Sequence, residues 1–170
     1  IGSIVGLGGG STLDTAKILS ATLPSSVSNL LQQVFRSGVP HSWDDSLRLI
    51  AIPTTSGTGS EVTPFATLWD KTTHKKHSLV GEHLFPSDAV LDPELTLSLP
   101  PEETLYSALD AISHALESLW NKYRTPVSIA YAMQALALAS EALPVVLEQP
   151  YNLERRAAMQ HASLLAGMAI

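Results

Sequence analysis

The sequence contains no cysteine among its 170 residues, which excludes disulfide bonds and thiolate metal ligands. A cysteine-free composition fits a reducing, cytoplasmic setting. The net charge is −6 at pH 7 and the chain has no basic patch or stripe, which argues against nucleic acid as a partner. No apolar run approaches the length that spans a bilayer, and no charged leader precedes the first predicted strand. With 45% hydrophobic residues, the composition predicts a soluble globular protein without a membrane partner.

The first half of the sequence has the pattern of an α/β domain. An apolar run over residues 4–7 ends at Gly8-Gly9-Gly10-Ser11 and is followed by a helical pattern. Strand, glycine turn and helix are the first half of a β-α-β unit. After this helix we expect a second buried strand at residues 47–52, a hairpin at 65–80 and a short buried strand at 89–91. Residues 24–45 are irregular, with a short helix predicted over 29–36.

The second half of the sequence is helical throughout. Helices are predicted over residues 102–123, 127–143 and from 153 to the end, with Pro126 and Pro144 as helix breakers. We therefore expect a partial dinucleotide-binding α/β domain at 1–95 and a partial helical metal-binding domain at 96–170. The chain opens directly on a strand and stops within an apolar helical pattern. Both ends therefore predict a piece of a longer protein, truncated on each side.

Asp110 and His114 are the most informative pair of residues. They lie four apart in a predicted helix, so carboxylate and imidazole share one face. This pair suits a divalent transition metal such as Fe, Zn, Co or Ni. Apolar residues on the other side should face the core and leave the pair toward a cleft; these are Ile112, Leu116 and Leu119. The alternative is an intrahelical hydrogen-bonded pair, and a metal would need further donors from elsewhere.

Two glycine-containing loops follow predicted strands. In residues 8–11 the glycines let backbone N–H groups approach a phosphate at a helix N-terminus, although a tight structural turn is equally compatible. Residues 54–61 carry five hydroxyls and two glycines after a buried strand, where open α/β sheets bind ligands. An ordinary solvated turn is the alternative there. Together the loops predict a dinucleotide site, whereas Lys17 is expected on the surface rather than as a ligand.

A small cationic cluster follows the predicted hairpin turn, at Lys75, Lys76 and His77. It attracts an anionic cofactor or substrate, or it is a solvated turn. Four other histidines have no partner at metal-ligand spacing and are interpreted as surface or hydrogen-bonded residues: His41, His74, His83 and His161.

Four segments in this order resemble the iron-containing (group III) alcohol dehydrogenase family over essentially the entire chain. They are residues 8–17 with Asp14 and Lys17, 53–63, 92–96 and 110–117. That family shares its fold with dehydroquinate synthase and glycerol dehydrogenase. The resemblance implies a Rossmann-like α/β part, a helical part and an active site in the cleft between them.

The resemblance also implies site residues. Ten positions match the family's cofactor contacts: Gly9, Gly10, Ser11, Thr54, Thr55, Thr63, Phe65, Lys76, Leu95 and Ser98. Asp110 and His114 match its first two metal ligands, and the family's two further histidine ligands lie beyond residue 170. The implied cofactors are Fe²⁺, Zn²⁺ or another divalent metal with NAD or NADP. The acidic position that separates these two nucleotides precedes residue 1, and no residue is identified as the proton donor.

The activity implied by the resemblance is a metal-dependent, NAD(P)-linked alcohol dehydrogenase or aldehyde reductase that acts on a small molecule. The runs 69–79 and 116–122 look like the family branch that reduces phosphonoacetaldehyde, and a short-chain alcohol or diol is the alternative substrate. A relative of the dehydroquinate synthase or glycerol dehydrogenase type is another interpretation. A third interpretation is a catalytically inert fragment that partly binds nucleotide. A homodimer is expected for the longer protein.

Overall fold

The computed structural model describes residues 2–24, 31, 43 and 46–170. Apart from position 31, the helix predicted over 29–36 lies outside these residues, and so does His41. The strands are β1 (Ser3–Gly8), β2 (Arg48–Pro53), β3 (Phe65–Asp70), β4 (Lys75–Val80) and β5 (Asp88–Ala89). The α-helices are α1 (Gly10–Thr22), α2 (Pro101–Trp120), α3 (Pro126–Glu148) and α4 (Leu153–Ala169).

The parallel sheet has the order β1-β2-β5. β1 and β2 run side by side over their full length, with Gly8 opposite Pro53. Because the carboxyl ends of parallel strands meet at one edge, the two glycine-containing loops emerge next to each other. The predicted combination of an α/β part followed by a helical part is confirmed.

The hairpin β3–β4 forms a separate two-stranded antiparallel sheet. Its register pairs Phe65 with Val80 at the open end and Asp70 with Lys75 beside the turn. The hairpin packs against α1 through a buried apolar cluster: Ile18, Ala21, Ala66, Leu79 and Leu84. The strand alternation in the sequence predicted this hairpin and its turn.

The three C-terminal helices pack against one another mainly through alanine. Two clusters join α2, α3 and α4, and alanines make up most of their buried members: Ala108, Ala111, Ala115, Ala132, Ala135, Ala139, Ala142, Ala162, Ala166 and Ala169. Small side chains let helix backbones approach closely. The expected core face of α2 was wrong in part, because Leu116 is exposed and the buried face runs through Ala108, Ala111 and Ala115.

Two expectations about α3 were wrong. Pro144 does not end the helix, which continues to Glu148. A proline removes one backbone hydrogen bond, but Ala142 and Val146 on either side of it are buried in the helix cluster, and their packing supports the helix there. The second expectation was that no apolar run approaches the length that spans a bilayer. By length and composition alone, α3 is long and apolar enough to cross a membrane.

Candidate functional site

The two glycine-containing loops contact each other at the edge of the sheet. The backbone N–H of Thr54 donates to the carbonyl of Gly8 at 3.0 Å. A Cβ placed on Gly10 would lie 2.5 Å from Cγ2 of Thr58, so only glycine permits this approach. α1 starts at Gly10 with Gly9 as its N-cap, and no side chain caps its first turn. The N–H groups of Thr12 and Leu13 already donate to the carbonyl of Gly9, so those of Gly10 and Ser11, with the positive end of the helix dipole, are the ones available to an anion.

The second loop joins the α/β part to the helical part. A Cβ on Gly57 would lie 2.7 Å from the carbonyl oxygen of Ser107 in α2. Gly59 has φ +60°, and a Cβ there would lie 2.7 Å from Cα of Gly167 in α4. These glycines are therefore needed for contact with the helices, a role that the interpretation as a phosphate-binding loop missed.

A pocket of about 300 Å³ lies between the loops, the hairpin and the two helices α2 and α4. Seven residues singled out from the sequence line it together: Gly10, Ser11, Thr63, Phe65, Lys76, Asp110 and His114. Residues of the α/β part and of the helical part thus share one cavity, as expected for a cleft between them.

Five of the implied cofactor contacts do not line this pocket: Gly9, Thr54, Thr55, Leu95 and Ser98. Leu95 belongs to a 3₁₀ turn, Pro93–Thr96, and it is 36% exposed. The two other members of the cationic cluster, Lys75 and His77, lie on β4 outside the pocket lining, as does the exposed His161 on α4.

Asp110 and His114 lie on one face of α2, as predicted. Nε2 of His114 is 3.7 Å from Oδ1 of Asp110, and the side chains are 24% and 46% exposed. A separation of 3.7 Å is too long for a hydrogen bond, so the intrahelical hydrogen-bonded pair does not explain the arrangement. Nδ1 of His114 is buried and has no hydrogen-bond partner in the part of the chain that the structure describes.

The pair fits part of a divalent metal site. A carboxylate oxygen and an imidazole nitrogen are suitable donors, and both residues line the pocket. Among residues 2–24, 31, 43 and 46–170, no group of three or more histidine, cysteine or acidic side chains could hold a metal. Asp110 and His114 therefore supply two of the three or four protein donors that such a site uses.

Lys17 was expected on the surface, and this was wrong. The residue is completely buried, and its Nζ donates to the carbonyl of Thr63 at 2.7 Å, to Oγ1 of the same residue at 3.2 Å and to the carbonyl of Phe65 at 2.8 Å. Burial lowers the pKa of Lys17 to about 8, and the charges of Asp14 and Glu61 partly oppose this shift. The residue type alone suggested an exposed side chain, but positions 13, 16, 17, 20 and 21 form one buried stripe of α1.

Glu61 is a second buried charged residue that the sequence interpretation missed. It is 4% exposed. Burial raises its pKa, and the backbone hydrogen bond it receives and the positive charge of Lys17 act in the opposite direction. Asp14, which lines the pocket, accepts from Oγ of Ser60 at 2.7 Å and from the backbone N–H of Thr67 at 2.9 Å.

Two models of protein families together match almost the whole chain. The model of iron-containing alcohol dehydrogenases matches residues 1–93, and that of the C-terminal part of the Fe-containing alcohol dehydrogenase family matches residues 104–170. The chain belongs to the iron-containing alcohol dehydrogenase family. The resemblance deduced from its motifs is thereby confirmed.

Individual members of the iron-containing alcohol dehydrogenase family align with nearly all of this chain. It is 37% identical to phosphonoacetaldehyde reductase of Streptomyces viridochromogenes, covering 98% of this chain and 43% of that protein. It is 39% identical to sulfoacetaldehyde reductase of Bilophila wadsworthia, covering 97% and 42%. The crystal structure of sulfoacetaldehyde reductase from Bifidobacterium kashiwanohense in complex with NAD⁺ superposes with a TM-score of 0.93 at 36% identity, covering 99% and 44%. The chain thus spans less than half the length of these relatives.

Proposed function

We propose that this chain carries part of the active site of a metal-dependent, nicotinamide-linked oxidoreductase that interconverts a small aldehyde and its alcohol. The observation that carries the proposal is the shared pocket. It contains the start of α1, where an anion can bind, together with Asp110 and His114 from α2. Family membership and the aldehyde reductases among the relatives support the same reaction.

The dinucleotide side of the proposed site lies on the α/β part. The N-terminus of α1 at Gly10 and Ser11 faces the pyrophosphate, because free N–H groups and the helix dipole favour a bound anion. Thr63, Phe65 and Lys76 are the further cofactor contacts within the pocket. Gly9, Thr54, Thr55, Leu95 and Ser98 stay predictions from the family resemblance. The NAD⁺ complex of a structural relative supports a nicotinamide dinucleotide.

The metal side lies on α2, where Asp110 and His114 would hold a divalent ion. An ion held there would supply Lewis-acid polarisation of the aldehyde oxygen, and a bound nicotinamide would supply the hydride. The carboxylate of Asp110 contributes negative charge, and the imidazole contributes a neutral nitrogen donor. The opposite face of α2 is packed through Ala108, Ala111 and Ala115, which holds the helix that carries both ligands in place.

The proposed substrate is a small aldehyde that carries a strong anion, with phosphonoacetaldehyde as the first candidate. Two relatives are named for the phosphono and sulfo derivatives of acetaldehyde, and Lys76 lines the pocket. A cation near the pocket stabilises a phosphonate dianion. A short-chain alcohol is the second candidate, because the NAD-dependent methanol dehydrogenase of Bacillus methanolicus is 36% identical to this chain.

We also propose a domain division, a cellular location and an assembly for the protein. The change from α/β to helical structure at the turn Pro93–Thr96 supports a division at residues 1–95 and 96–170. The cysteine-free composition supports a cytoplasmic location. A homodimer is the commonest assembly of soluble enzymes.

The experiment uses the complete natural protein that contains this sequence. After chelation it is reloaded with Fe²⁺ or Zn²⁺, and the nicotinamide absorbance is followed with phosphonoacetaldehyde, sulfoacetaldehyde, propanal and 1-propanol. We expect metal-dependent NADH or NADPH oxidation, with a lower KM for the anionic aldehydes than for propanal. No cofactor turnover with any aldehyde or alcohol would refute the proposal. Consumption of a sugar phosphate without net cofactor turnover would favour the dehydroquinate synthase type instead.

A further inference from the structure

One wall of the pocket is hydrogen-bonded to α1, which also lines the pocket through Asp14. This wall, residues 60–67, contributes four lining residues: Ser60, Thr63, Phe65 and Thr67. Each of the four forms a hydrogen bond with Asp14 or Lys17. Asp14 accepts from Ser60 and Thr67, and Lys17 donates to Thr63 and Phe65. Two side chains of one helix therefore fix every part of the wall that faces the cavity.

The bonds from Lys17 use its whole hydrogen-bonding capacity. An ammonium group has three N–H donors, and its three acceptors are the two oxygens of Thr63 and the carbonyl of Phe65. The side chain is completely buried and does not line the pocket. It therefore touches neither substrate nor cofactor, and any effect on either has to pass through the wall.

Two carboxylates interact electrostatically with Lys17. Asp14 lies on the same helix one turn earlier, and Glu61 belongs to the wall itself. Both carboxylates attract the ammonium group electrostatically and favour its charged form in the buried position. Hydrogen bonds from a charged donor are stronger than neutral ones, which suits a residue that fixes two backbone carbonyls.

We propose that Lys17 is a positioning residue that holds the wall at residues 60–67 against the bound dinucleotide, and that Asp14, which itself lines the pocket, holds the two ends of the same wall. The inference rests on the proposed function, because it assigns the wall to cofactor binding. Without the Lys17 ammonium group, the carbonyls of Thr63 and Phe65 lose their donor and the wall shifts. Asp110 and His114 lie on α2 and keep their positions, so the loss falls on cofactor affinity rather than on the chemical step.

The test compares Lys17→Met with the wild type in the complete natural protein. Methionine fills a similar volume but donates no hydrogen bond. We expect the KM for the dinucleotide to rise about tenfold, the equivalent of about one lost charged hydrogen bond, while kcat changes less than about twofold. Ser20→Ala is the matched control, since it removes a buried hydrogen bond on the same helix, from Ser20 Oγ to the Lys17 carbonyl, without touching the wall.

A second variant keeps the proposal falsifiable if Lys17→Met does not fold. Lys17→Gln retains amide donors at shorter reach, and we expect an intermediate KM for the dinucleotide. An unchanged KM in either folded variant overturns the proposal. Equal losses in kcat and affinity, or unfolding of both variants, also overturn it, because Lys17 is then only a core residue.

Dissociation constants for NADH, measured by fluorescence, separate this inference from the proposed function. If the wild type binds NADH but turns over no aldehyde or alcohol, the proposed function fails and the binding comparison still decides the role of Lys17. If the wild type is active and Lys17→Met binds NADH as tightly as the wild type does, the positioning role fails alone.

Discussion

The two halves of the chain bury different kinds of side chain. Around α1 the interior contains Leu13 and Ile18 beside the charged residues Lys17 and Glu61. Among the three C-terminal helices the buried residues are mostly alanines, although Arg156 of α4 is a buried cation there as well. The pocket between the halves therefore has two kinds of support. Closely packed helices hold Asp110 and His114, whereas buried charges hold the wall at residues 60–67.

Substitutions in the two halves should therefore alter different physical properties. A change in the alanine core disturbs the packing of helices, and its cost depends on the volume added. A change among the buried charges disturbs hydrogen bonds and electrostatics, and its cost depends on pH. The two halves can therefore be distinguished by experiments that alter volume and by experiments that alter protonation.

The largest expected effect comes from the helical half, at the proposed metal ligands. Asp110→Asn or His114→Ala should reduce kcat about a thousandfold in the metal-loaded complete protein, because the charge stabilisation that a bound metal provides amounts to several kcal/mol. Metal content and steady-state rates are the measurements. The control is Glu117→Gln, an exposed carboxylate on the same helix that accepts from Ser113 and does not line the pocket. If all three variants keep the activity of the wild type, Asp110 and His114 do not hold a catalytic metal.

The next effect tests the buried charges of the α/β half. Lys17 has a pKa of about 8 in the folded protein against 10.5 in an unfolded chain, chiefly because of burial. Between these pH values the folded state binds fewer protons than the unfolded state, so the free energy of unfolding rises with pH. We expect wild type to gain about 3 kcal/mol relative to Lys17→Met from pH 8 to 10.5. Chemical denaturation across this range measures the difference, and parallel curves for the two proteins would contradict it.

A smaller effect tests the alanine packing of the helical half. Ala135→Leu adds three carbon atoms at a position of α3 that is 2% exposed, and it should lower the free energy of unfolding by about 2 kcal/mol through overpacking. Ala137→Leu, two residues along on the exposed side, is the control and should change stability little. Thermal unfolding compares them. Equal melting temperatures would mean that the alanine contacts are loosely packed.

The smallest expected effect concerns an exposed ion pair in the α/β half. Arg48 Nη2 lies 2.9 Å from Oδ2 of Asp88 and joins β2 to β5, with side chains 62% and 43% exposed. Arg48→Ala should cost less than about 1 kcal/mol, because solvent and salt screen such pairs. A loss well above that value, unchanged in high salt, would show that exposed charges matter as much as the buried ones.

The sequence predicted most of the secondary structure and the meeting of the two loops. Apolar periodicity predicted β1, β2, the hairpin and all four described α-helices. The spacing of four residues in a predicted helix also placed Asp110 and His114 on one face, because this relation does not depend on tertiary contacts. Where the prediction relied on residue type, it was less successful. Pro144 stays inside α3 because neighbouring packing outweighs its local preference.

The buried polar residues could not be predicted in the same way. Lys17 occupies a position of the buried stripe of α1, but a lysine there is stable only because Thr63 and Phe65 supply acceptors 46 and 48 residues away. The contacts of Gly57 and Gly59 with α2 and α4 likewise join distant parts of the chain. Local sequence carries no record of such partners, so the contacts of this loop with the helices could not be predicted, while its predicted role in cofactor binding stays a prediction.

The contact of Gly59 with Gly167 has a consequence for how this cleft can vary. Two backbones touch there, and a methyl group added to either would overlap the other. Because backbone lies against backbone at this contact, even an alanine at either position would force the two halves apart. Differences in substrate preference among proteins that keep both glycines are therefore expected to arise from the side chains that line the cavity.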